Sequence, residues 1–297
     1  MPVKDTLVPR VLRLVSEAPL VLCLGAALLC PGPAGAAGRA DAVEAARAWL
    51  VRDLDREMEA EGPPDMNRVA SLVFTLARNL DRSADGPTRE ALERVRDYLA
   101  AQDAAKLDCD TLSDYFMTGT FLREAGYAFD LGDLPERLAH CLEHASDLAL
   151  FNALILVGRY DLPTSEGYLE AAVPRAEAAQ QPNGSFTRKD GPNDFYQTTH
   201  AVLGLYFTGG DQAVIDRGHA YMLRHLPDMV RIGFLDGVAE TLIFLRWMGV
   251  EVPGEGRYLR LLLDRVRPDG GLCFRQEPGC ESHWHATSLL YELLHMY

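Results

Sequence analysis

Two short stretches decide how this chain reads: QPNGSF (Gln181–Phe186) and RPDGGLCF (Arg267–Phe274). Each sets glycine among turn-forming residues, closes on an aromatic side chain and stands ahead of a long apolar run. Glycine takes the positive-φ backbone that a tight connection between helices requires. Two such loops in equivalent places mark a repeat.

Helical periodicity extends outward from both loops, covering Asp41 to the end with no convincing alternating strand. DAVEAARAWLVRDLDREMEA (41–60) carries Val43, Ala46, Leu50 and Leu54 on one face and charges opposite. MNRVASLVFTLARNL (66–80) is apolar around most of its circumference, as a buried helix is. PTREALERVRDYLAA (87–101) is amphipathic again, with Pro87 suited to a helix start. The alternation continues: apolar helices are expected to begin near Asp110, Asp147, Asp194, Asp236 and Ser282. Amphipathic ones are expected over about 133–145, 165–179, 211–226 and 256–267. Apolar starts counted from Met66 are 44, 37, 47, 42 and 46 residues apart. A period near 40 residues with two helices per unit signals a helical repeat, built as an open solenoid or a closed ring.

The loops carry a resemblance. Gln-x-x-Gly-x-aromatic segments before apolar helices resemble the repeats of squalene–hopene cyclase and of protein prenyltransferase beta subunits. The resemblance covers roughly Met66 to Tyr297. It implies an all-α fold, an (α/α)6 toroid of six inner helices ringed by six outer ones, filling 41–297 as a single domain.

The toroid in turn implies where a site lies. Its inner helices run parallel, so their N-termini meet at one mouth, with unpaired N–H groups and positive dipole ends. The first turns there hold Asp110 and Asp114, then Asp147, then Asp194 with Gln197 and His200, then Asp236 with Glu240, then His283 and His285. An aspartate at a helix start is the ordinary N-cap. Histidines in helices of Ala, Val, Leu and Tyr need partners when buried, and His200 and His285 stand at equivalent positions.

Protein farnesyltransferase holds zinc with an Asp-Gly-Cys segment and a His one repeat later. FLDGVAETL (234–242) resembles the first, with Asp236 in the Asp place and Val238 in the Cys place. SHWHATSLL (282–290) resembles the second, with His285 in the His place. NDFYQTTHAVLGL (193–205) matches its wording, with His200 one turn further along. The resemblance implies a divalent metal, zinc first, with Asp236 and His285 in two ligand places and the thiolate missing; His200 and His283 are the further donors expected to complete the metal set. Glu240, Asp114 and Asp110 are the candidate proton-transfer groups. LDCDTLSD (107–114) is the nearest segment to the Asp-x-Asp-Asp acid of squalene-type cyclases, with Thr111 at the last Asp place. The expected occupant of the mouth is a small-molecule or peptide-like substrate. A non-catalytic module that binds a peptide or protein is the alternative. A carbohydrate-active hydrolase or lyase using Asp236 and Glu240 is a further one.

The remaining features bound the setting. The chain has 297 residues, 48% hydrophobic and 24% charged, enough for a sizeable core. A net charge of −14 argues against nucleic acid or an anionic membrane as partner. Lys4, Arg10 and Arg13 precede APLVLCLGAALLC (18–30), and Ala34-Gly35-Ala36 offers a cleavage site, so residues 1–36 read as a signal segment for export to the periplasm or beyond. Neither Cys23 nor Cys30 follows the small residue that lipid attachment wants, so no membrane anchor is expected after processing. Removal of 1–36 leaves Cys109, Cys141, Cys273 and Cys280, an even count that suits disulfides, with Cys273–Cys280 the local candidate. Retained in the cytosol, the same thiols become available to a metal.

Overall fold

The structure, a computed structural model, describes residues 33–80, 86–144, 149–186 and 194–297, and within them the side chains of all but 33–37, 110 and 194. By compactness the chain divides into residues 1–38 and 39–297. The predicted signal segment lies outside the described residues, apart from the helical backbone of 33–36. Among the described residues, no helix is long and apolar enough to cross a membrane.

Twelve α-helices are found among the described residues, with no strand. The outer ones are α1 (Pro33–Glu59), α3 (Gly86–Ala101), α5 (Leu134–Glu143), α7 (Tyr168–Glu177), α9 (Gln212–Arg231) and α11 (Glu255–Leu263). The inner ones are α2 (Met66–Arg78), α4 (Cys109–Glu124), α6 (Leu150–Tyr160), α8 (Asp194–Thr208), α10 (Leu235–Trp247) and α12 (Trp284–His295). Each inner helix begins within about three residues of the start read from apolar patterning. In α10 every residue from Leu235 to Leu245 is buried. In α9 burial falls on Val214, Ile215, Gly218, Tyr221, Met222, Leu226 and Met229, one face of a helix in water.

The ring closes. α2 packs on α4, α6 on α8, α8 on α10 and α10 on α12, α5 bridges α4 and α6, and α12 returns to pack on α2. Of the two readings of the repeat, the closed ring is the one adopted.

The two loops that revealed the repeat match bond for bond. In the first, Gly184 N–H donates to Gln181 O (2.9 Å) and Gln181 N–H to Ser185 O (2.8 Å). In the second, Gly270 N–H donates to Arg267 O (2.9 Å) and Arg267 N–H to Gly271 O (2.9 Å). Gly184 and Gly270 have φ of +93° and +94°, and a Cβ on either would collide with an outer-helix carbonyl, that of Arg217 or Ala45. The turn and the close approach both demand glycine. Each loop then ties to its inner helix through a threonine hydroxyl: Phe186 N–H to Thr198 (2.9 Å) and Leu272 N–H to Thr287 (2.9 Å).

Two disulfides close further loops, Cys109–Cys141 between α4 and α5 and Cys273–Cys280 ahead of α12. The cysteine pair ahead of the last inner helix is thus a staple.

Candidate active site

A cavity of about 730 Å³ lies inside the ring, and all six inner helices line it. Aromatic side chains form part of its wall: Phe74, Phe121, Phe151, Tyr160, Tyr196, Phe244, Trp247 and Trp284 all contribute. Tyr196 was not among the residues singled out from the sequence, although the FYQTTH wording at a first inner-helix turn pointed to it.

At the N-terminal side, α8, α10 and α12 bring together five of the expected residues. Asp236 does not cap its helix: Phe234 holds the N-cap place, and Asp236 lies fully buried in the first turn. His285 Nδ1–H donates to Asp236 Oδ1 at 2.8 Å. The Tyr196 hydroxyl lies 3.3 Å from both ring nitrogens of His285. His200 Nδ1–H donates to the Tyr196 carbonyl (2.8 Å), its ring stacks on Tyr196 with centroids 5.0 Å apart, and its Nε2 lies 3.9 Å from Glu240 Oε1. The Thr199 hydroxyl reaches Glu240 Oε2 at 3.4 Å. His283 occupies the N-cap place of α12, held by its N–H to Leu272 O (2.8 Å).

Asp114 lines the same cavity from α4. Asp110 lies on α4 with its side chain outside the described residues, Asp194 begins α8 on the same terms, and Asp147 lies outside them altogether. Asp108, not Asp110, caps α4, accepting from Thr111 N–H at 2.9 Å.

Burial sets the charge states. The Glu240 carboxyl, 2% exposed, is pushed up to about 8 by desolvation and by the charge of Asp236, against opposing pulls from His285 and Thr199. Burial works against a charge on His285, but the hydrogen bond to Asp236 and the charges of Asp236 and Glu240 outweigh it and raise its pKa. Desolvation lowers that of His283. Desolvation and the two carboxylates push the Tyr196 phenol far up. At neutral pH the site thus holds a neutral Glu240 carboxyl beside the hydrogen-bonded His285–Asp236 pair.

The four expected metal ligands share one region but not one ligand geometry. Asp236 and His285 are bonded to each other, and His200 spends one ring nitrogen on Tyr196. Among the described residues, the His/Cys/Asp/Glu group whose ligating atoms all lie within 4.8 Å of one another is His140, Glu143 and His144, at the end of α5.

No protein-family model and no curated protein matches the chain. Solved structures do. The type II terpene cyclase MstE from Scytonema, in its apo form, superposes with a TM-score of 0.61 at 14% identity, over 87% of this chain and 97% of its own. The fold is the terpene-cyclase-like α/α toroid. A variant of that cyclase in complex with geranylgeranyl dihydroxybenzoate, its substrate, gives a TM-score of 0.60 at 14% identity, over 87% of this toroid and 97% of its own chain. A protein from Actinoplanes gives 0.58 at 16% identity, over 86% and 98%. Identities at this level carry the fold and leave activity to be argued from the toroid's own cavity.

Proposed function

We propose that this chain is an exported enzyme that closes rings in an apolar, alkene-bearing chain, starting the reaction by proton donation from Glu240. One observation carries the reading: a carboxyl buried in the wall of an aromatic-lined cavity is pushed up to about 8, so it keeps its proton at neutral pH.

Transfer of that proton to a C=C bond uses the alkene's π pair to make the new C–H bond. Glu240 is left as a carboxylate and the neighbouring carbon as a cation. The π pair of the next alkene attacks that carbon, and the ring closes. The final cation loses a C–H proton to water, and a solvent proton restores Glu240, so substrate and product are isomers. The imidazolium of His285 supports the acid by lowering its pKa from where burial alone would set it. The ring faces of Phe121, Phe151, Phe244 and Trp247 attract a passing cation, each by about 0.5–2 kcal/mol. The cavity volume falls in the range that encloses a small-molecule ligand, about 300–1,000 Å³. The geranylgeranyl chain bound by the Scytonema cyclase is the kind of substrate meant. Export is supported by the basic-then-apolar N-terminus and by the two disulfides.

A metal-dependent reading has one observation in its favour: Asp236 Oδ2 and His283 Nδ1 are buried with no hydrogen-bond partner. They are two donors where a catalytic zinc takes three from the protein, and His200 or His285 would have to supply the third. Metal bound by the parent and lost on His283→Ala would favour this reading.

The test of the main reading is incubation of the chain from Ala37 with geranylgeranyl dihydroxybenzoate in D2O. An isomeric product carrying one non-exchangeable deuterium is expected, and Glu240→Gln is expected to make none. Unchanged substrate with folded protein, or product formed equally by Glu240→Gln, overturns it.

A further inference from the structure

The cavity has two ends of opposite hydrogen-bonding character. At the acid end, the buried atoms without partners include the acceptors Asp236 Oδ2 and Gln197 Oε1. At the end where α6 and α10 finish, the buried atom without a partner is a donor, the indole N–H of Trp247. Arg159 lines the cavity there. Its guanidinium lies over the rings of Trp247 (5.4 Å), Tyr160 (5.6 Å) and Phe74 (5.9 Å). Neighbouring Arg78 sits over the same Phe74 and Trp247 rings (5.6 and 5.5 Å), but is paired with buried Glu292 at 3.2 Å. Arg159 makes no ion pair among the described residues.

An arginine in the last turn of a helix ordinarily complements the helix dipole. What sets Arg159 apart is its place on the cavity wall with no carboxylate in salt-bridge contact among the described residues. The ring faces attract the guanidinium's charge without using its five N–H donors, of which one is turned towards the Tyr160 hydroxyl. Arginine and indole N–H groups only donate. The group that satisfies both is one that only accepts and carries negative charge.

We propose that Arg159 and Trp247 bind the anionic head of the substrate, a carboxylate or a phosphate, and that its apolar tail reaches towards Glu240. Trp247 stands seven residues beyond Glu240 on α10, about 10 Å of helix rise. The anion is thereby held away from the acid, where its charge would pair with the forming cation. The role of the tail rests on the cyclase reading above; the anion site does not.

The test is calorimetric binding in the Glu240→Gln background, where turnover is stopped. The probes are geranylgeranyl dihydroxybenzoate, its methyl ester and geranylgeranyl diphosphate. The free acid is expected to bind at least ~10-fold tighter than the ester, equivalent to about 1.4 kcal/mol. Arg159→Gln is expected to abolish that preference while leaving the ester's affinity within about threefold, since charge-assisted donors contribute only to the anion. Trp247→Phe keeps the ring, removes the N–H and should reduce the preference in part. Whichever of acid and diphosphate binds tighter identifies the head group.

Equal binding of acid and ester, an acid preference that survives Arg159→Gln, or no binding of any probe overturns the proposal. If Arg159→Gln fails to fold by circular dichroism, Arg159→Lys keeps charge and loses the fork. It must weaken the acid and not the ester, and a parallel loss of both overturns the proposal too. Preferential binding of the acid alongside no deuterium incorporation by the parent would defeat the cyclase reading and leave the anion site standing.

Discussion

His285 on α12 donates its Nδ1–H to Asp236 on α10 at 2.8 Å, and Asp236 is fully buried. This bond joins two neighbouring inner helices beside Glu240 and fixes the orientation of the imidazole ring. Breaking a buried charged pair by removing one partner leaves the other uncompensated, at a cost of about 3 kcal/mol or more. Asp236→Asn is therefore expected to lower the unfolding free energy by roughly that amount in urea titration. The same variant should lower the pKa of His285, which NMR of the ring protons reads directly. An unshifted His285 titration would show that the pair carries no charge.

Glu240 gives the site a pH signature of definite sign. Its folded pKa is raised to about 8 from an ordinary value near 4.3, so the folded protein keeps a proton that the unfolded chain has lost. The stability from this group is fully present below about pH 4.3 and is lost progressively as pH rises towards 8, at up to about 1.4 kcal/mol per pH unit. Glu240→Gln should flatten that slope, equalling the parent near pH 5 and exceeding its melting temperature at pH 9. Turnover in the parent should fall as pH rises through about 8, where the acid loses its proton. A parent whose stability between pH 5 and 8 is no steeper than the variant's would place an ionised carboxylate at this position.

The two disulfides constrain loops of different length, spanning 32 and 7 residues in sequence. Loop-closure entropy assigns roughly 4 kcal/mol to the longer and roughly 2 kcal/mol to the shorter. Cys109→Ser/Cys141→Ser is thus expected to lower the melting temperature more than Cys273→Ser/Cys280→Ser. The shorter staple has the greater effect on the site. Its loop supplies the Phe274 carbonyl that accepts from Asp236 N–H at 3.2 Å, and Gln276 N–H reaches back to Gly233 O at 2.7 Å. Loss of Cys273–Cys280 should therefore depress turnover more than its modest stability cost implies, as a comparison of kcat with melting temperature will show.

The fold was legible because it repeats. Apolar and amphipathic runs alternate with a period near 40 residues, and helices buried all round differ in composition from helices wet on one side. The mouth was legible through the same logic: parallel inner helices bring their first turns together, which collects Asp236, Glu240, His200, His283 and His285. What pattern did not settle was the chemistry between them. Asp236 reads as a cap or a ligand in sequence, and the choice of His285 as its partner depends on how α10 and α12 pack. The far end of the cavity was invisible for a different reason. Arg159, Phe74 and Trp247 lie near the ends of three helices, where an arginine or an aromatic is unremarkable in sequence. Their meeting is a product of ring closure alone.

The matched loops make a prediction about the repeat itself. Thr198 and Thr287 each accept a buried backbone N–H, from Phe186 and Leu272. Thr→Val keeps the shape and removes the acceptor, which leaves a buried donor unsatisfied at a cost of about 1–3 kcal/mol. Both variants should destabilise by similar amounts. They should differ in function, because the Thr287 hydroxyl donates at 2.8 Å to the carbonyl of His283, a residue of the cavity wall. Thr287→Val loosens His283, two residues ahead of His285, whereas Thr198→Val unties the Gln181–Phe186 loop from α8. A larger fall in kcat for Thr287→Val at matched stability is the expected result. Equal falls would mean that the last loop serves the ring and not the site.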